Sequence, residues 1–280
     1  MLDRRRFLTI SAAALCAPPA MAQEWRGHAL GADVTIRLAA PRAGRTLDKA
    51  ARLLRGIERQ FSLFTDSDLT RLNRDGRLTP TADFRALAQL ADRVHRATGG
   101  AFDPGVQPLW QATRLGRPAP DTPGWAAMTL GREIRLRPGM ALTFNGIAQG
   151  WAADRLAALM RDEGFSDVLI DAGEVVALGQ RPTGGAWQAA IAPPEGREIR
   201  RLGLSDRALA TSSPLGTRIG PSGAPHILHP HLSPRHALVS VSAESAALAD
   251  ALSTAFCLME PRQIDAALRH FPGARVEAIL

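Results

Sequence analysis

Residues 167–180 read DVLIDAGEVVALGQ, two apolar runs joined by a short turn with a glycine at position 173. Each run has the length of a strand, and glycine adopts the backbone angles that tight turns need. The segment therefore predicts a strand, a glycine turn and a second strand. Further short strands are predicted over residues 187–194, 208–213 and 237–243. Several strand pairs are close enough in sequence to be hairpins, and strands and helices are interspersed without a regular period. The sequence therefore predicts an α+β fold with mixed or antiparallel strands rather than a parallel doubly wound sheet.

Periodic patterns on either side of this hairpin predict the other elements of the fold. Residues 133–165 predict a strand pair whose second strand ends at Phe144, then a glycine turn and an amphipathic helix. The remaining segments are predicted as a strand over 31–41, helices over 47–64, 81–100, 247–256 and 262–271, a turn-rich connection over 65–78, a proline-punctuated loop over 101–110 and a surface excursion over 114–128.

The first 22 residues have the pattern of an export signal. Two successive arginines, Arg4 and Arg5, precede a short apolar stretch, and an Ala-Met-Ala sequence ends at Ala22. The apolar run is too short to span a bilayer as a helix, and this arrangement is typical of cleaved signals. The paired arginines favour the twin-arginine route. We therefore expect residues 1–22 to be a twin-arginine signal peptide and residues 23–280 to form the mature domain in the periplasm.

Composition argues against several classes of function. The formal charge is +7, and removal of the first 22 residues would lower it to +5, because they carry three arginines and one aspartate. No basic run or basic patch with interleaved aromatic residues suggests a nucleic-acid partner. Lys49 is the only lysine, so a lysine nucleophile is nearly excluded. Cys257 is the only cysteine of the predicted mature chain, so an intramolecular disulfide is not possible, and its apolar surroundings predict an inert buried thiol.

The segment ALADALSTAF, residues 247–256, places a carboxylate and a hydroxyl on one face of an apolar helix. Asp250 and Thr254 are four residues apart, so their side chains share that face. On one interpretation, Asp250 faces solvent and Thr254 bonds back to the carbonyl of Asp250. On the other, both side chains bind a hard cation, which prefers oxygen ligands. The helix alone leaves both interpretations open.

Four other segments carry candidate functional residues, and each is a weak signal by itself. The glycine turn over residues 143–155 leads into a helix, and the free amides at a helix start favour anions. The turn over residues 170–179 is equally weak alone. Asp103, in TGGAFDP, follows a predicted helix end, where an Asp-Pro turn is the simple alternative. His226 and His229, in APHILHP, are three residues apart, which suggests a metal site but does not require the two rings to converge.

The order of these segments resembles that of the ApbE-type FAD:protein FMN transferases, from about Gly31 to the C-terminus. The resemblance implies that residues 23–280 form an α+β flavin transferase domain around a flavin-binding cleft. It also implies Mg²⁺-dependent transfer of FMN from FAD, the substrate, to a Thr or Ser hydroxyl of a partner protein, with release of AMP. The matching stretches are GADVTIRL, FSLFTDSDLTRLN, TGGAFDP, FNGIAQGWAADR, LIDAGEVVALG, ALATSS, HILHP and LADALSTAF.

The resemblance also implies which residues form the site. Asp250, Thr254 and the main-chain carbonyl of Gly146 would bind Mg²⁺, an ion that usually takes one or two carboxylates together with substrate phosphates. His226 is the candidate base for the incoming hydroxyl, because it is the only ionisable group of its motif that titrates near neutral pH. The positions that match FAD-contacting or flavin-lining residues are Leu30, Phe64, Ala101, Phe102, Asp103, Thr143, Gln149 and Ile227.

Four positions depart from the family pattern. Gln149 stands where the family often has Lys or Glu, and Thr143 where an acidic residue is frequent. Glu174 follows Gly173 where the family tends to have a second glycine, so it puts a carboxylate where backbone would approach FAD. His229 replaces the Asp of the usual H-x-x-D-P pattern.

The departures leave two other functions open beside transfer. One is an exported flavin-binding or carrier protein without transfer activity. The other is an FAD pyrophosphatase, in which water replaces the acceptor hydroxyl. The acceptor expected for transfer is a periplasmic or membrane-anchored electron-transfer subunit.

Overall fold

Fourteen strands occur in the computed structural model, which describes residues 23–38, 43–194 and 196–280. The predicted signal peptide, residues 1–22, lies outside the described residues and stays a prediction. In chain order the strands are β1 (Gln23–Ala29), β2 (Ala32–Leu38), β3 (Arg77–Leu78), β4 (Thr129–Leu130), β5 (Ile134–Arg135), β6 (Val168–Asp171), β7 (Val175–Leu178), β8 (Trp187–Ile191), β9 (Arg200–Leu204), β10 (Arg207–Ser212), β11 (Arg218–Ile219), β12 (Ala224–Pro225), β13 (Val239–Ala243) and β14 (Arg275–Ile279).

Seven of these strands form the central sheet, in the spatial order β1-β2-β6-β7-β10-β13-β14. Each neighbouring pair in this sheet is antiparallel. The hairpin predicted from residues 167–180 lies near its centre, where Asp171 is paired with Val175 and the Ala172 N–H donates to the Glu174 carbonyl at 3.0 Å. The predicted α+β fold is therefore confirmed.

Helices account for most of the remaining regular structure in the described part of the chain. No helix among the described residues is long and apolar enough to cross a bilayer. Short 3-10 helices occur at Pro104–Val106 and Trp125–Ala127. The α-helices are α1 (Gly44–Phe61), α2 (Asp68–Asp75), α3 (Ala82–Ala97), α4 (Gln107–Arg114), α5 (Ala148–Asp162), α6 (Ala246–Phe256) and α7 (Pro261–Leu268).

The central strands are buried on both faces. On one face, where α5 and α6 pack, Ile170 and Val176 belong to the main core. On the other face, Leu169 and Val175 pack with Trp187 of the β8–β9 hairpin. Consecutive side chains of a strand point to opposite faces, so a strand that is covered on both faces reads as an unbroken apolar run. This explains why β6 and β7 are easy to recognise in the sequence.

The segment before α5 is not the strand that the sequence predicts. Residues 141–144 belong to no strand of the described chain. Instead, the Asn73 side chain donates to the Leu142 carbonyl at 2.8 Å and accepts from the Leu142 N–H at 2.7 Å. The Thr143 N–H donates to the Pro104 carbonyl at 2.8 Å. A side-chain amide thus satisfies the backbone groups that a neighbouring strand would otherwise pair.

Two helices lie where the sequence predicts irregular structure. In the segment predicted as a turn-rich connection, Ser67 begins α2 with a capping box, in which the Thr70 N–H donates to the Ser67 hydroxyl at 3.1 Å and the Ser67 N–H donates to the Thr70 hydroxyl at 2.8 Å. In the segment predicted as a loop, α4 carries a proline in its first turn, where the missing N–H is tolerated. The sequence patterns also predict neither edge strand, β1 or β14.

Candidate active site

A cleft lies between the turn that joins β6 to β7, the side of α6 and the segment before α5. It holds about 1040 Å³ of empty space, part of which is open to solvent. The predicted base, His226, and the three predicted Mg²⁺ ligands all line it. Six of the eight predicted FAD-contacting residues line it as well: Ala101, Phe102, Asp103, Thr143, Gln149 and Ile227.

The other two predicted FAD-contacting residues, Leu30 and Phe64, lie at a smaller pocket beside the cleft. This pocket shares Asn145 and Gln149 with the cleft. The Phe64 ring is more than half exposed, so it offers a flat apolar face at the edge of the site. The structure therefore brings all the predicted residues to two adjoining pockets.

Helix α6 is held in place by contacts with the N-terminal part of α5. A β-carbon on Gly150 would lie 2.4 Å from the Ala246 carbonyl oxygen, so only glycine allows the two backbones to approach this closely. Four residues later, the Asp154 carboxylate accepts hydrogen bonds from the N–H groups of Ala246 at 2.7 Å and Ala247 at 3.0 Å. These contacts fix where α6 begins, and therefore where residues 250 and 254 stand.

Asp250 is a buried carboxylate with one backbone donor. It is 4% exposed, and its Oδ2 accepts a hydrogen bond from the Gly150 N–H at 3.3 Å. Burial raises the pKa of Asp250 to about 7; the Gly150 hydrogen bond opposes this rise, and the nearby Asp154 charge adds to it. The interpretation in which Asp250 faces solvent is therefore wrong.

Thr254 does not bond back to its own helix. The hydroxyl that donates to the Asp250 carbonyl, at 3.0 Å, belongs to Ser253. The Thr254 hydroxyl lies 3.3 Å from the Ser212 hydroxyl and lines the cleft. The helix-capping interpretation of this threonine is therefore wrong too, and its oxygen is placed toward the cleft.

The oxygen atoms near Thr254 fit a hard cation. A β-carbon on Gly146 would lie 3.0 Å from Thr254 Oγ1, so the Gly146 backbone lies against that hydroxyl. In the part of the chain that the structure describes, no three His, Cys, Asp or Glu side chains converge as a metal site. A cation here would therefore depend on the Gly146 carbonyl, the Thr254 hydroxyl, water and substrate phosphates as well as Asp250, which is the kind of partly hydrated site that Mg²⁺ prefers.

The charges in the cleft also favour a cation. Among the described residues that line it, none is a lysine or an arginine, whereas Asp250 and Glu174 are both buried carboxylates. A ligand with phosphate groups would bring negative charge beside two buried carboxyl groups, without a positive side chain in the wall. Bringing such charges together in a buried site is costly unless a counter-charge accompanies them.

Two departures from the family pattern, Glu174 and Gln149, lie on either side of Gly173 in the cleft wall. The Glu174 side chain turns inward and accepts from the Thr211 N–H at 3.3 Å. Burial raises the pKa of Glu174 well above its usual range, and the charges of Asp250 and Asp171 add to the effect. The Gln149 amide lies over Gly173, and its buried Nε2 has no hydrogen-bond partner.

His226 has the geometry of a base. Its Nδ1 lies 3.0 Å from the Pro214 carbonyl oxygen and 3.2 Å from the Thr217 carbonyl oxygen. Carbonyl oxygens only accept, so Nδ1 carries the proton and Nε2 keeps its lone pair. Burial lowers the pKa of His226, which the two carbonyls partly oppose. The ring is therefore neutral near neutral pH, with an acceptor nitrogen in the cleft wall.

Two of the residues singled out in the sequence, Asp103 and His229, accept hydrogen bonds from nearby backbone N–H groups. The Asp103 carboxylate accepts from the Gly105 N–H at 2.6 Å and the Trp125 N–H at 3.0 Å, so this residue has a structural role as well as a place in the cleft wall. His229 accepts at Nδ1 from the N–H groups of His231 and Leu232, at 3.1 Å each. The Nδ1 lone pair of His229 is thus already used, and Nε2 of the neutral ring carries the proton, so His229 has no free nitrogen with which to join His226 as a metal ligand.

Sequence reasoning missed two parts of the cleft wall. Thr211 and Ser212, at the end of β10, place backbone and hydroxyl groups beside Glu174 and Thr254; successive hydroxyl residues at the end of an apolar strand are the signal for them. Trp110 was missed because α4 was predicted as a loop, and it also lines the cleft.

Solved structures share this fold. The flavin transferase ApbE from Vibrio cholerae superposes with a TM-score of 0.78 at 23% identity, covering 92% of this chain and 94% of that chain. The apbe protein from Thermotoga maritima superposes with a TM-score of 0.79 at 24% identity, covering 92% of this chain and 96% of that chain.

Sequence relatives point to the same family. A protein of Chlamydia trachomatis named FAD:protein FMN transferase is 28% identical over 226 residues, covering 70% of each chain. One of the same name from Klebsiella pneumoniae is 28% identical over 242 residues, covering 73% of this chain and 68% of the relative. The ApbE family model matches residues 30–280, nearly the whole described chain, and the protein is therefore a member of the ApbE family.

Proposed function

We propose that this chain is an FAD:protein FMN transferase, which moves FMN from FAD to a Thr or Ser hydroxyl of a partner protein, with Mg²⁺ and with release of AMP. The observation that carries the proposal is that one cleft joins the acceptor nitrogen of His226 to the oxygen groups of Asp250 and Thr254 in a member of the ApbE family. Relatives named for this activity support it.

The proposed reaction is an in-line phosphoryl transfer. The acceptor hydroxyl oxygen attacks the FAD phosphorus on the riboflavin side, the bond from that phosphorus to the bridging oxygen breaks, and AMP leaves with the bridging oxygen. The hydroxyl proton passes to Nε2 of His226, which has its lone pair free because Nδ1 donates to backbone carbonyls. One P–O bond forms as one breaks, and the product is a phosphodiester between FMN and the acceptor.

Asp250, Thr254 and the Gly146 carbonyl are the proposed ligands of Mg²⁺. When bound, the ion supplies positive charge that neutralises phosphate oxygens. The buried position of Asp250 and the lack of lysine and arginine among the described cleft residues support a metal requirement.

The proposed partner is an electron-transfer subunit in the periplasm or anchored in the membrane. This rests on the twin-arginine signal predicted for residues 1–22, which would deliver the folded enzyme to the periplasm. The acceptor hydroxyl would enter at the open side of the cleft.

The test is to incubate the mature chain with FAD, Mg²⁺ and candidate acceptor domains that carry an exposed Thr or Ser. Transfer is expected to give in-gel flavin fluorescence on the acceptor, a mass increase of one FMN less one water, and AMP in equal amount. Tight FAD binding with no labelled acceptor would instead identify a flavin carrier. AMP release without any acceptor would identify an FAD pyrophosphatase.

A further inference from the structure

The turn between β6 and β7 carries a carboxylate into the cleft that the proposed transfer does not use. Glu174 is 6% exposed and lines the same cleft as Asp250. Its Oε2 accepts from the Thr211 N–H at 3.3 Å. The inward position is not the default for a glutamate, which is almost never fully buried unless it is paired.

Contacts through β10 place Glu174 beside the proposed cation ligands. Thr211, which donates to Glu174, precedes Ser212, whose hydroxyl lies 3.3 Å from that of Thr254. Asp250 is 4% exposed and lines the same cleft as Glu174. Two buried carboxylates in one cleft need a proton or a cation to offset their charge, and among the described residues no lysine or arginine lines the cleft.

A second observation points to a ligand at the same place. The Gln149 side chain is 5% exposed, and its Nε2 has no hydrogen-bond partner. Its amide lies against the turn that carries Glu174, since a β-carbon on Gly173 would lie 3.0 Å from Gln149 Oε1. Buried donors are nearly always paired, so this one indicates a ligand that brings an acceptor oxygen. The carboxylates of Glu174 and Asp250, together with the unpaired Gln149 donor, fit a cation that is bound to an oxyanion.

We propose that Glu174 and Asp250 together bind a divalent cation in the cleft, and that they do so in the absence of FAD. A second carboxylate raises the affinity for the free ion, because ligand charge is a main determinant of such affinities. The Gln149 amide then donates to a phosphate oxygen of the incoming diphosphate. That last step rests on the proposed function, whereas cation binding by the two carboxylates does not.

The experiment uses Mn²⁺ alone as the probe, with the mature chain and no FAD. Free Mn²⁺ is measured by electron paramagnetic resonance during titration with wild type, Glu174→Gln and Asp250→Asn. The control is Glu198→Gln, which removes an exposed carboxylate that is paired with Arg201 and does not line the cleft. We expect wild type and the control to bind Mn²⁺ equally, and each cleft variant to bind it at least about tenfold more weakly.

Glutamine keeps the shape of Glu174 and an acceptor for the Thr211 N–H, so the variant isolates the charge. Thermal melts confirm folding, and Glu174→Gly, the residue that the family pattern favours, replaces the variant if it does not fold. Equal Mn²⁺ affinity in wild type and Glu174→Gln would overturn the proposal, and so would the absence of Mn²⁺ binding by wild type without FAD. FMN transfer is assayed on the same samples. If the acceptor is labelled although one of these two results is found, the cation proposal fails and the proposed function stands. If both carboxylates are needed for Mn²⁺ binding but no acceptor is labelled, only the proposed function is refuted.

Discussion

The carboxylate of Asp154 in α5 accepts a hydrogen bond from the backbone N–H of Ala246, the first residue of α6, at 2.7 Å. It also accepts from the Ala247 N–H at 3.0 Å and from the Ser245 hydroxyl at 2.7 Å. The first N–H groups of a helix have no partner within the helix. One side chain from α5 therefore fixes the start of the helix that carries both side chains proposed to bind the cation, and Asp154 is a positioning residue.

Asp154→Ala should lower the free energy of unfolding by about 2–4 kcal/mol, because it leaves buried helix N–H groups without an acceptor. Urea denaturation measures the change. Asp162→Ala, an exposed position on the same helix, is the matched control and should stay within about 0.5 kcal/mol of wild type. If both variants unfold at the wild-type urea concentration, the contact does not stabilise α6.

The parts of the fold that could be predicted are those whose signal is local. The β6–β7 hairpin is visible because both strands are apolar throughout and a glycine separates them. The common face of Asp250 and Thr254 follows from helical periodicity alone. In contrast, residues 141–144 look like a strand, yet their backbone partner is the side chain of Asn73, which is 69 residues away in sequence.

The candidate site also depends on contacts between residues that are far apart in sequence. The anchoring of α6 by Asp154 joins positions 92 residues apart, and no local pattern indicates it. The inward turn of Glu174 depends on the Thr211 N–H of a strand 37 residues later. The family resemblance locates the cleft residues. The inward carboxylate of Glu174 and the unpaired Nε2 of Gln149, in contrast, depend on tertiary contacts that the sequence does not show.

Replacement of Arg4 and Arg5 by lysine should keep the protein out of the periplasm, because the paired arginines are the feature that favours the twin-arginine route. Cell fractionation and the size of the protein measure export and cleavage after Ala22. Replacement of Arg26 and Arg37 by lysine, in the predicted mature chain, is the control. Normal amounts of mature protein in the periplasm of the first variant would refute this assignment.

His229→Asp should keep the turn that His229 stabilises. It should also make the stability of the protein less sensitive to acid. His229 accepts at Nδ1 from the His231 and Leu232 N–H groups, and a carboxylate can accept both. Burial lowers the pKa of His229 below its ordinary 6.5, which the Asp103 charge partly opposes. The unfolded chain therefore binds the proton more readily, and the stability contributed by the neutral ring is lost as pH falls below 6.5.

Thermal melts at about pH 5 and about pH 7 test this prediction. The melting temperature of wild type should fall more on acidification than that of His229→Asp. His229→Ala, which has no acceptor at either pH, should be less stable than both at neutral pH. An equal acid shift in wild type and His229→Asp would show that protonation of this ring does not contribute.

Asp250→Ala should abolish Mg²⁺-dependent transfer more severely than it affects folding, because the proposed site has few protein oxygens and Mg²⁺ dehydrates reluctantly. Thr254→Val keeps the shape and removes the hydroxyl, so it should raise the Mg²⁺ concentration needed for activity with little change in helix stability. Ser166→Ala is the control, because this exposed hydroxyl bonds to the Asp167 carboxylate and does not line the cleft. Superimposable Mg²⁺ titrations of transfer for wild type, Asp250→Ala and Thr254→Val would exclude the metal site.

His226→Ala should slow single-turnover transfer by about 10²–10⁴-fold, the usual contribution of a general base, and leave FAD binding nearly intact. Burial lowers the pKa of His226 below its ordinary 6.5, so the neutral, proton-accepting ring persists to lower pH than in water. With saturating Mg²⁺, which keeps Asp250 ionised, the wild-type rate should therefore stay level through neutral pH and fall only below 6.5, whereas the variant should lack this acid limb. His270→Ala, an exposed histidine, is the control and should keep the wild-type profile. A His226→Ala rate equal to that of wild type across neutral pH would leave His226 only the backbone contacts to Pro214 and Thr217, a structural role in the cleft wall.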